Sequence, residues 1–302
     1  MRVVQYTGSN ARWKGTLMAE KAPKKPHIFR IALIVALVLA ALFALLFADS
    51  AYRLVTTDYT VTSARLPAGF DGYRIVQLSD LHAAEFGEDN ARLVQKVAAA
   101  QPDIIVLTGD FIESEAQIPV TSTLARQLTA LAPVYFVSGN HDWASHAIDE
   151  LFDALTDAGV VCLRNEAVTL ACGGDTIILA GVDDPNGHAD MPTPDEVAAA
   201  VQAAYPGAFT VLLGHRNYWV EEYPALPVDV IFCGHAHGGV IRLPGIGGLI
   251  GTDRTLFPDY TEGMFASGSY QMIVSRGLGQ IPQLPRLGNN PEIVCLTLRT
   301  AN

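Results

Sequence analysis

Five short segments of this chain combine imidazole, carboxylate and amide side chains with glycine. They are Ser79-Asp80-Leu81-His82, Thr108-Gly109-Asp110, Ser138-Gly139-Asn140-His141-Asp142, Gly214-His215 and Gly234-His235-Ala236-His237-Gly238-Gly239. Asp80, His82, Asp110, Asn140, His215, His235 and His237 make seven metal-competent donors. Seven is too many for one tetrahedral ion and suits two divalent ions sharing one bridging carboxylate. Mixed nitrogen and oxygen ligation without sulfur favours Mn, Fe or Zn over a calcium cage. Two ions roughly 3.5–4 Å apart can hold the attacking and leaving oxygens of a phosphoryl group and make hydroxide from water near neutral pH. No serine or cysteine nucleophile is then required. Any one segment reads equally well as a cap or a turn. The set is informative because five of the eight histidines fall inside it.

These donors need a scaffold that aims them at one place. Short β-branched runs alternate with helical patterns from Tyr73 onward. The pattern predicts strands at Tyr59–Ser63, Tyr73–Leu78, Asp103–Leu107, Val134–Val137, Thr176–Ala180, Thr210–Leu213 and Val228–Phe232. It predicts helices at Ala91–Ala100, Thr121–Ala130, Ala147–Ala158 and Pro194–Ala204. Such alternation argues for an α/β core with largely parallel strands. Each donor segment follows the end of a predicted strand, and ligands of open α/β sheets bind outside the carboxyl ends of the strands. Glycines let the backbone turn sharply there. After residue 238 the pattern is strand-rich, with Val240–Leu243, Tyr270–Val274 and Ile293–Leu298, which predicts a second sheet built from hairpins.

In this order Asp80-x-His82, Gly109-Asp110, Gly139-Asn140-His141-Asp142, Gly214-His215 and Gly234-His235-x-His237 resemble the signature of the calcineurin-like metallophosphoesterases. The match covers roughly residues 73–299. With Ser-Arg-Gly-Leu-Gly at 275–279 and Asn290-Pro291-Glu292, the chain is similar to bacterial membrane-anchored phosphodiesterases of that superfamily. The resemblance implies a four-layer α/β/β/α sandwich. It implies that Asp80, His82 and His237 hold one ion, that Asn140, His215 and His235 hold the other, and that Asp110 bridges. It also implies that His141 faces the phosphate, stabilising charge or protonating the leaving oxygen. Asp142 is expected either to orient His141 or to cap the following helix.

Glu113, three residues after Asp110, stands where purple acid phosphatases carry a tyrosine ligand, and Ser114 follows it where protein phosphatases carry arginine. Both branches are therefore disfavoured. Glu113 reads as an exposed loop acid, with orientation of His141 as the alternative. Asp183 and Asp184 are either partners of a ligand histidine or turn formers. Arg216 and Arg276 are candidates for a substrate phosphate, with surface solvation as the alternative. His27, His146 and His188 receive no chemical role.

Length, charge and composition bound the rest. Residues 1–30 carry seven basic side chains and one acid, and the remaining 272 residues carry a charge of −17. Such a body repels phosphate backbones, so no nucleic-acid partner is expected. Ile31 to Ala48 is an 18-residue run without a polar side chain, about 27 Å as a helix and close to a bilayer core. It reads as an uncleaved transmembrane helix after a basic tail at 1–30, with cleavage at Ala48-Asp49-Ser50 as the rival. The positive-inside bias puts the N-terminus in the cytoplasm and residues 49–302 outside. Residues 49–72 are expected to connect the helix, through a first strand, to a catalytic domain at 73–302. If Asn165-Glu166 is a tight turn, Cys162 and Cys172 are out of register for a disulfide. All four cysteines read as small buried hydrophobes.

The expectation is a membrane-anchored hydrolase of a phosphodiester or pyrophosphate, its substrate in or near the lipid surface. A UDP-2,3-diacylglucosamine-type pyrophosphatase, a phosphomonoesterase and a catalytically silent metal-binding membrane protein stand as the alternatives.

Overall fold

The computed structural model describes residues 26–188, 190–243, 245–280 and 285–301, together with Gln5 and Gly8. Apart from those two residues, the basic tail up to residue 25 lies outside the described residues. The chain divides into two compact units, residues 1–43 and 44–302. The first holds most of helix α1 (Pro26–Tyr52), which is long and apolar enough to cross a membrane and exposes its apolar side chains. The predicted run 31–48 thus sits inside a longer helix. Its last turns belong to the second unit.

From α1 the chain enters β1 (Val55–Ser63), β2 (Arg74–Leu78), α2 (Ala91–Ala99), β3 (Ile104–Thr108), α3 (Ile118–Thr129) and β4 (Val134–Val137). Helices α4 (Asn140–Ala144) and α5 (Ile148–Asp157) follow, then β5 (Val161–Cys162), β6 (Ala167–Cys172), β7 (Asp175–Gly181) and α6 (Pro194–Ala204). The remainder is β8 (Thr210–Leu213), α7 (Trp219–Glu222), β9 (Val230–Cys233), β10 (Ile241–Leu243), β11 (Gly247–Ile250), β12 (Gly263–Ser267), β13 (Tyr270–Val274) and β14 (Glu292–Thr300). One six-stranded sheet has the order β1-β14-β2-β3-β4-β5 and the other β12-β13-β9-β8-β7-β6, while β10 and β11 form a two-stranded sheet.

Period-two burial explains the layering. Ile75, Ile104 and Val106 join Val211, Leu213, Val230 and Phe232 in one core between the two sheets. Their sequence neighbours Val76, Ile105 and Leu107 face the other way and pack with Leu93, Leu124, Leu128, Leu151 and Leu155 of α2, α3 and α5. On the far sheet Leu212 and Ile231 pack with Val197, Ala198 and Trp219 of α6 and α7. Helix, sheet, sheet and helix therefore form the expected four-layer sandwich. Strand pairs β2–β3–β4 and β7–β8–β9 are parallel.

Two expectations are corrected. The C-terminal strands do not build one second sheet: β10 and β11 form a separate antiparallel pair and β12 pairs antiparallel with β13, but β13 joins β9 in parallel, and β14 inserts between β1 and β2 of the first sheet. β14 is buried over most of its length, which its apolar run foretold; which sheet it enters is a long-range choice that the run does not encode. The second correction concerns residues 162–172. β5 belongs to one sheet and β6 to the other, and β6 turns through Gly173-Gly174 into β7, pairing Cys172 with Asp175. The assumed turn at Asn165-Glu166 therefore joins no hairpin. All four cysteines are free, with Cys162 and Cys172 partly exposed and Cys233 and Cys295 buried.

Candidate dinuclear metal site

The donor segments leave the C-terminal ends of β2, β3 and β4 in one sheet and of β8 and β9 in the other, so the rim they share spans both sheets. The backbone there is forced. Asp80, His82, Asp110, His235 and His237 all have φ between +45° and +67°, a region costly for residues with a Cβ. Strain of this kind persists where the surroundings over-determine it, typically at functional sites. Two glycines make room. A Cβ on Gly139 would lie 2.3 Å from Asp110 Oδ1, and one on Gly234 would lie 1.9 Å from Ser79 Oγ and 2.3 Å from Asp80 Oδ2.

The side chains converge in two sets. Donor atoms of Asp80, His82, Asp110 and His237 lie within 4.8 Å of one another, and so do those of Asp110, His215 and His235. Asp110 is common to both. Its Oδ2 is 3.0 Å from His215 Nε2 and 3.9 Å from His82 Nε2. His237 Nε2 is 3.3 Å from Asp80 Oδ1 and 3.0 Å from His82 Nε2. Among the described residues, Asp80 Oδ2 and Asn140 Oδ1 are buried without a hydrogen-bond partner. Buried polar atoms are rarely left so, and oxygen atoms held in this way suit a cation. The donor set therefore fits two divalent ions.

Charge supports the same fit. Burial, with the positive neighbours His215 and Arg216, holds His235 well below the ordinary imidazole range; burial, His82 and Arg286 do the same for His237. Both are neutral, as ligation requires. Burial opposes protonation of His215, but the Asp110 and Asp80 carboxylates outweigh it and push the group up to about 10. A divalent cation would displace that proton. His215 Nδ1 donates to the Thr108 carbonyl at 2.8 Å, which leaves Nε2 as the nitrogen that could hold an ion.

Glu113 corrects the exposed-loop reading. Its carboxylate accepts from His82 Nδ1 at 2.5 Å and from His141 Nδ1 at 2.9 Å, so one acid sets the orientation of both rings. The His141 side chain remains 35% exposed and can meet a substrate. Its backbone N–H donates to Asp110 Oδ1 at 2.7 Å.

Asp142 does not meet the His141 ring. Its buried carboxylate accepts four backbone N–H groups, from Asp110 and Phe111 at 2.8 Å, Gly139 at 2.9 Å and Ile112 at 3.1 Å. It thereby fixes the turn that carries Asp110 to the start of α4. We expect Asp142→Ala to lower stability by at least about 4 kcal/mol, because it strands four buried donors at roughly 1–3 kcal/mol each. Thermal unfolding of the variant checks this; an unshifted transition would contradict it.

The arginines are engaged within the protein. Arg216 forms a bidentate pair with Asp184 at 2.6 and 2.9 Å and touches His235 Nε2 at 3.1 Å. Asp184 thus holds the arginine that touches His235. Arg276 pairs with Glu292 at 3.0 Å and Glu262 at 3.2 Å, which replaces the surface-solvation reading for it. Asp183 accepts from Ser138 Oγ at 2.7 Å.

Sequence reasoning missed Arg286 and Asn289. Arg286 is fully buried, donates to the carbonyls of Gly279 and Arg276 at 2.7 Å, and lies 3.3 Å from His237 Nδ1. Asn289 donates to the His237 carbonyl at 2.6 Å. Neither sits in a motif, so nothing local announces it. A cavity of about 530 Å³ adjoins the site, with His235, Tyr218, Leu256, Phe257 and Tyr260 in its wall.

The calcineurin-like phosphoesterase family model matches residues 73–239, the stretch that contains every candidate donor. The uncharacterized metallophosphoesterase YkuE of Bacillus subtilis (strain 168) is 32% identical over 261 residues, spanning 83% of this chain and 87% of its own. Phosphodiesterase YaeI of Escherichia coli (strain K12) is 29% identical over 239 residues, 75% of this chain and 82% of its own. UDP-2,3-diacylglucosamine pyrophosphatase LpxG of Chlamydia trachomatis is 26% identical over 290 residues, 76% of this chain and 84% of its own. With two donor sets sharing one carboxylate at the rim of a four-layer sandwich, the chain belongs to the calcineurin-like phosphoesterases, metal-dependent hydrolases of phosphoester bonds.

Proposed function

We propose that this protein is a membrane-anchored phosphodiesterase or pyrophosphatase that acts on a lipid-linked substrate at a dinuclear centre. The observation that carries the reading is the pair of donor sets sharing Asp110. In this reading Asp80, His82 and His237 hold one ion, Asn140, His215 and His235 the other, and Asp110 both. When bound, the ions supply Lewis-acid stabilisation of the phosphoryl oxygens and activation of water; Mn, Fe or Zn suits the mixed nitrogen and oxygen donors.

The chain's own residues do the rest. Glu113 holds the His141 ring by its Nδ1, so Nε2 is the atom that delivers a proton to the leaving oxygen or stabilises charge on the phosphoryl group. Glu113 and Thr108 fix the tautomers of His82 and His215. The exposed flank of His141 leaves its ring open to a substrate.

The apolar helix supports anchoring, and the basic tail supports a cytoplasmic N-terminus with the domain outside. The pyrophosphatase activity named for LpxG is the second reading. Its nucleotide-linked substrate would be cytoplasmic, so a reporter fused after Asn302 separates the two by topology. A silent metal-binding protein would hold both ions and turn nothing over.

The test is hydrolysis of bis(p-nitrophenyl) phosphate by the full chain in detergent, stripped of metal and then re-supplied with Mn²⁺, Fe²⁺ or Zn²⁺. We expect no turnover in the stripped protein and restoration with about two ions per chain. A folded, fully loaded protein that turns over neither this ester nor a lipid-linked one would leave only the silent reading.

A further inference from the structure

Beyond α1, four of the exposed large apolar side chains fall within one stretch, residues 243–257. They are Leu243, Ile246, Leu256 and Phe257, at 44%, 61%, 71% and 64% exposure. The β10–β11 hairpin presents the first two. Leu256 and Phe257 return beside β11, where Leu256 bridges Ile250 and the Phe257 N–H donates to the Leu249 carbonyl at 3.0 Å. The four side chains thus belong to one ridge.

Two observations say what covers it. First, the ridge hangs from the loop that grips the chain where it leaves the apolar run. The Arg242 N–H donates to the Leu287 carbonyl at 2.8 Å. The next residue, Gly288, donates to Ser50 Oγ at 2.8 Å, and Asn290 Nδ2 donates to the Asp49 carbonyl at 2.8 Å. Asp49 directly follows Ala48, the last residue of that run. Exposed Tyr52 lies one turn further on, and tyrosine is enriched at membrane–water boundaries. Second, Leu256 and Phe257 also wall the cavity that His235 reaches. One element therefore offers an apolar edge beside the membrane boundary and a wall beside the metal site.

We propose that the 241–257 ridge lies in the interfacial layer of the bilayer and delivers a bilayer-resident phosphoester, its hydrocarbon part held against Leu256 and Phe257, to the metal site at His235. This rests on the hydrolase reading above and gives it a route for the substrate. An interfacial element needs apolar side chains that enter the acyl boundary while the backbone stays at headgroup level, and a short hairpin whose tip carries Ile246 meets that requirement.

The test uses the full chain reconstituted in phosphatidylcholine–phosphatidylglycerol vesicles, with and without brominated acyl chains. Ile246→Trp adds one fluorophore to the three native tryptophans. We expect the added emission to be quenched by the brominated chains and shielded from aqueous iodide; the opposite pattern overturns the proposal. Leu243→Asp combined with Ile246→Asp alters the ridge without touching the cavity wall or a donor. In that variant, hydrolysis of a p-nitrophenyl diester of a diacylglycerol phosphate, embedded in the same vesicles, should fall about tenfold, with bis(p-nitrophenyl) phosphate turnover unchanged. Undiminished lipid-ester turnover overturns the delivery route. A parent protein that hydrolyses neither ester counts against the hydrolase reading instead, and the quenching still decides where the ridge sits.

Discussion

Asp110→Asn is expected to reduce phosphodiester turnover by about a thousandfold, equivalent to about 4 kcal/mol of transition-state stabilisation. The substitution preserves shape. The amide oxygen can still accept the His141 N–H that now meets Oδ1 at 2.7 Å. What it removes is the one negative charge that both donor sets share. That charge is firmly present in the native protein: burial disfavours it, but His215 and then His82 hold the Asp110 carboxyl well below the usual carboxylate range. Without it, six donors remain and no carboxylate lies between the two positions. Metal content measured by mass spectrometry should fall below two ions per chain, and high concentrations of added metal should recover part of the activity. A variant that keeps two tightly bound ions and full turnover would show that Asp110 does not bridge. Thermal unfolding close to that of the parent separates this effect from misfolding.

Much of this site was legible because its chemistry is local. Each donor follows a strand end, and glycine next to a donor marks a place where the backbone must turn within a residue. Gly139 and Gly234 show the reason: a single methyl group at either would collide with Asp110 or Asp80. The sandwich was legible for a similar reason. Alternate residues of Arg74–Leu78 and Ile104–Thr108 face the second sheet and the helices, and strands buried on both faces read as continuous apolar runs. What could not be read is what depends on distant partners. Glu113 looked like a loop acid because neither of its two histidines is near it in sequence. Arg216 and Arg276 could be read only as solvated surface groups or substrate contacts, because Asp184 and Glu292 cannot be assigned to them without the fold. β14 presented a strand without an address. Arg286 is the extreme case: a fully buried cation held by two carbonyls seven and ten residues upstream and facing an imidazole 49 residues away.

His141→Ala should separate metal binding from proton delivery. The residue belongs to neither of the two donor sets built around Asp110, so both ions should remain bound. Loss of a positioned general acid typically costs about a hundred- to ten-thousandfold, and the cost depends on how much the leaving group needs a proton. p-Nitrophenolate needs little help, so bis(p-nitrophenyl) phosphate turnover should fall only about tenfold, whereas an alkyl diester, which must expel an alkoxide, should lose about a thousandfold. The difference between the two losses is the diagnostic quantity. Equal losses would mean that His141 stabilises charge on the phosphoryl oxygens and does not protonate the leaving atom, and no loss on either ester would remove it from the reaction. Glu113 predicts which of these holds. Its carboxylate accepts from Nδ1, which leaves Nε2 as the ring nitrogen from which a leaving-group acid would act, so unequal losses on the two esters are expected.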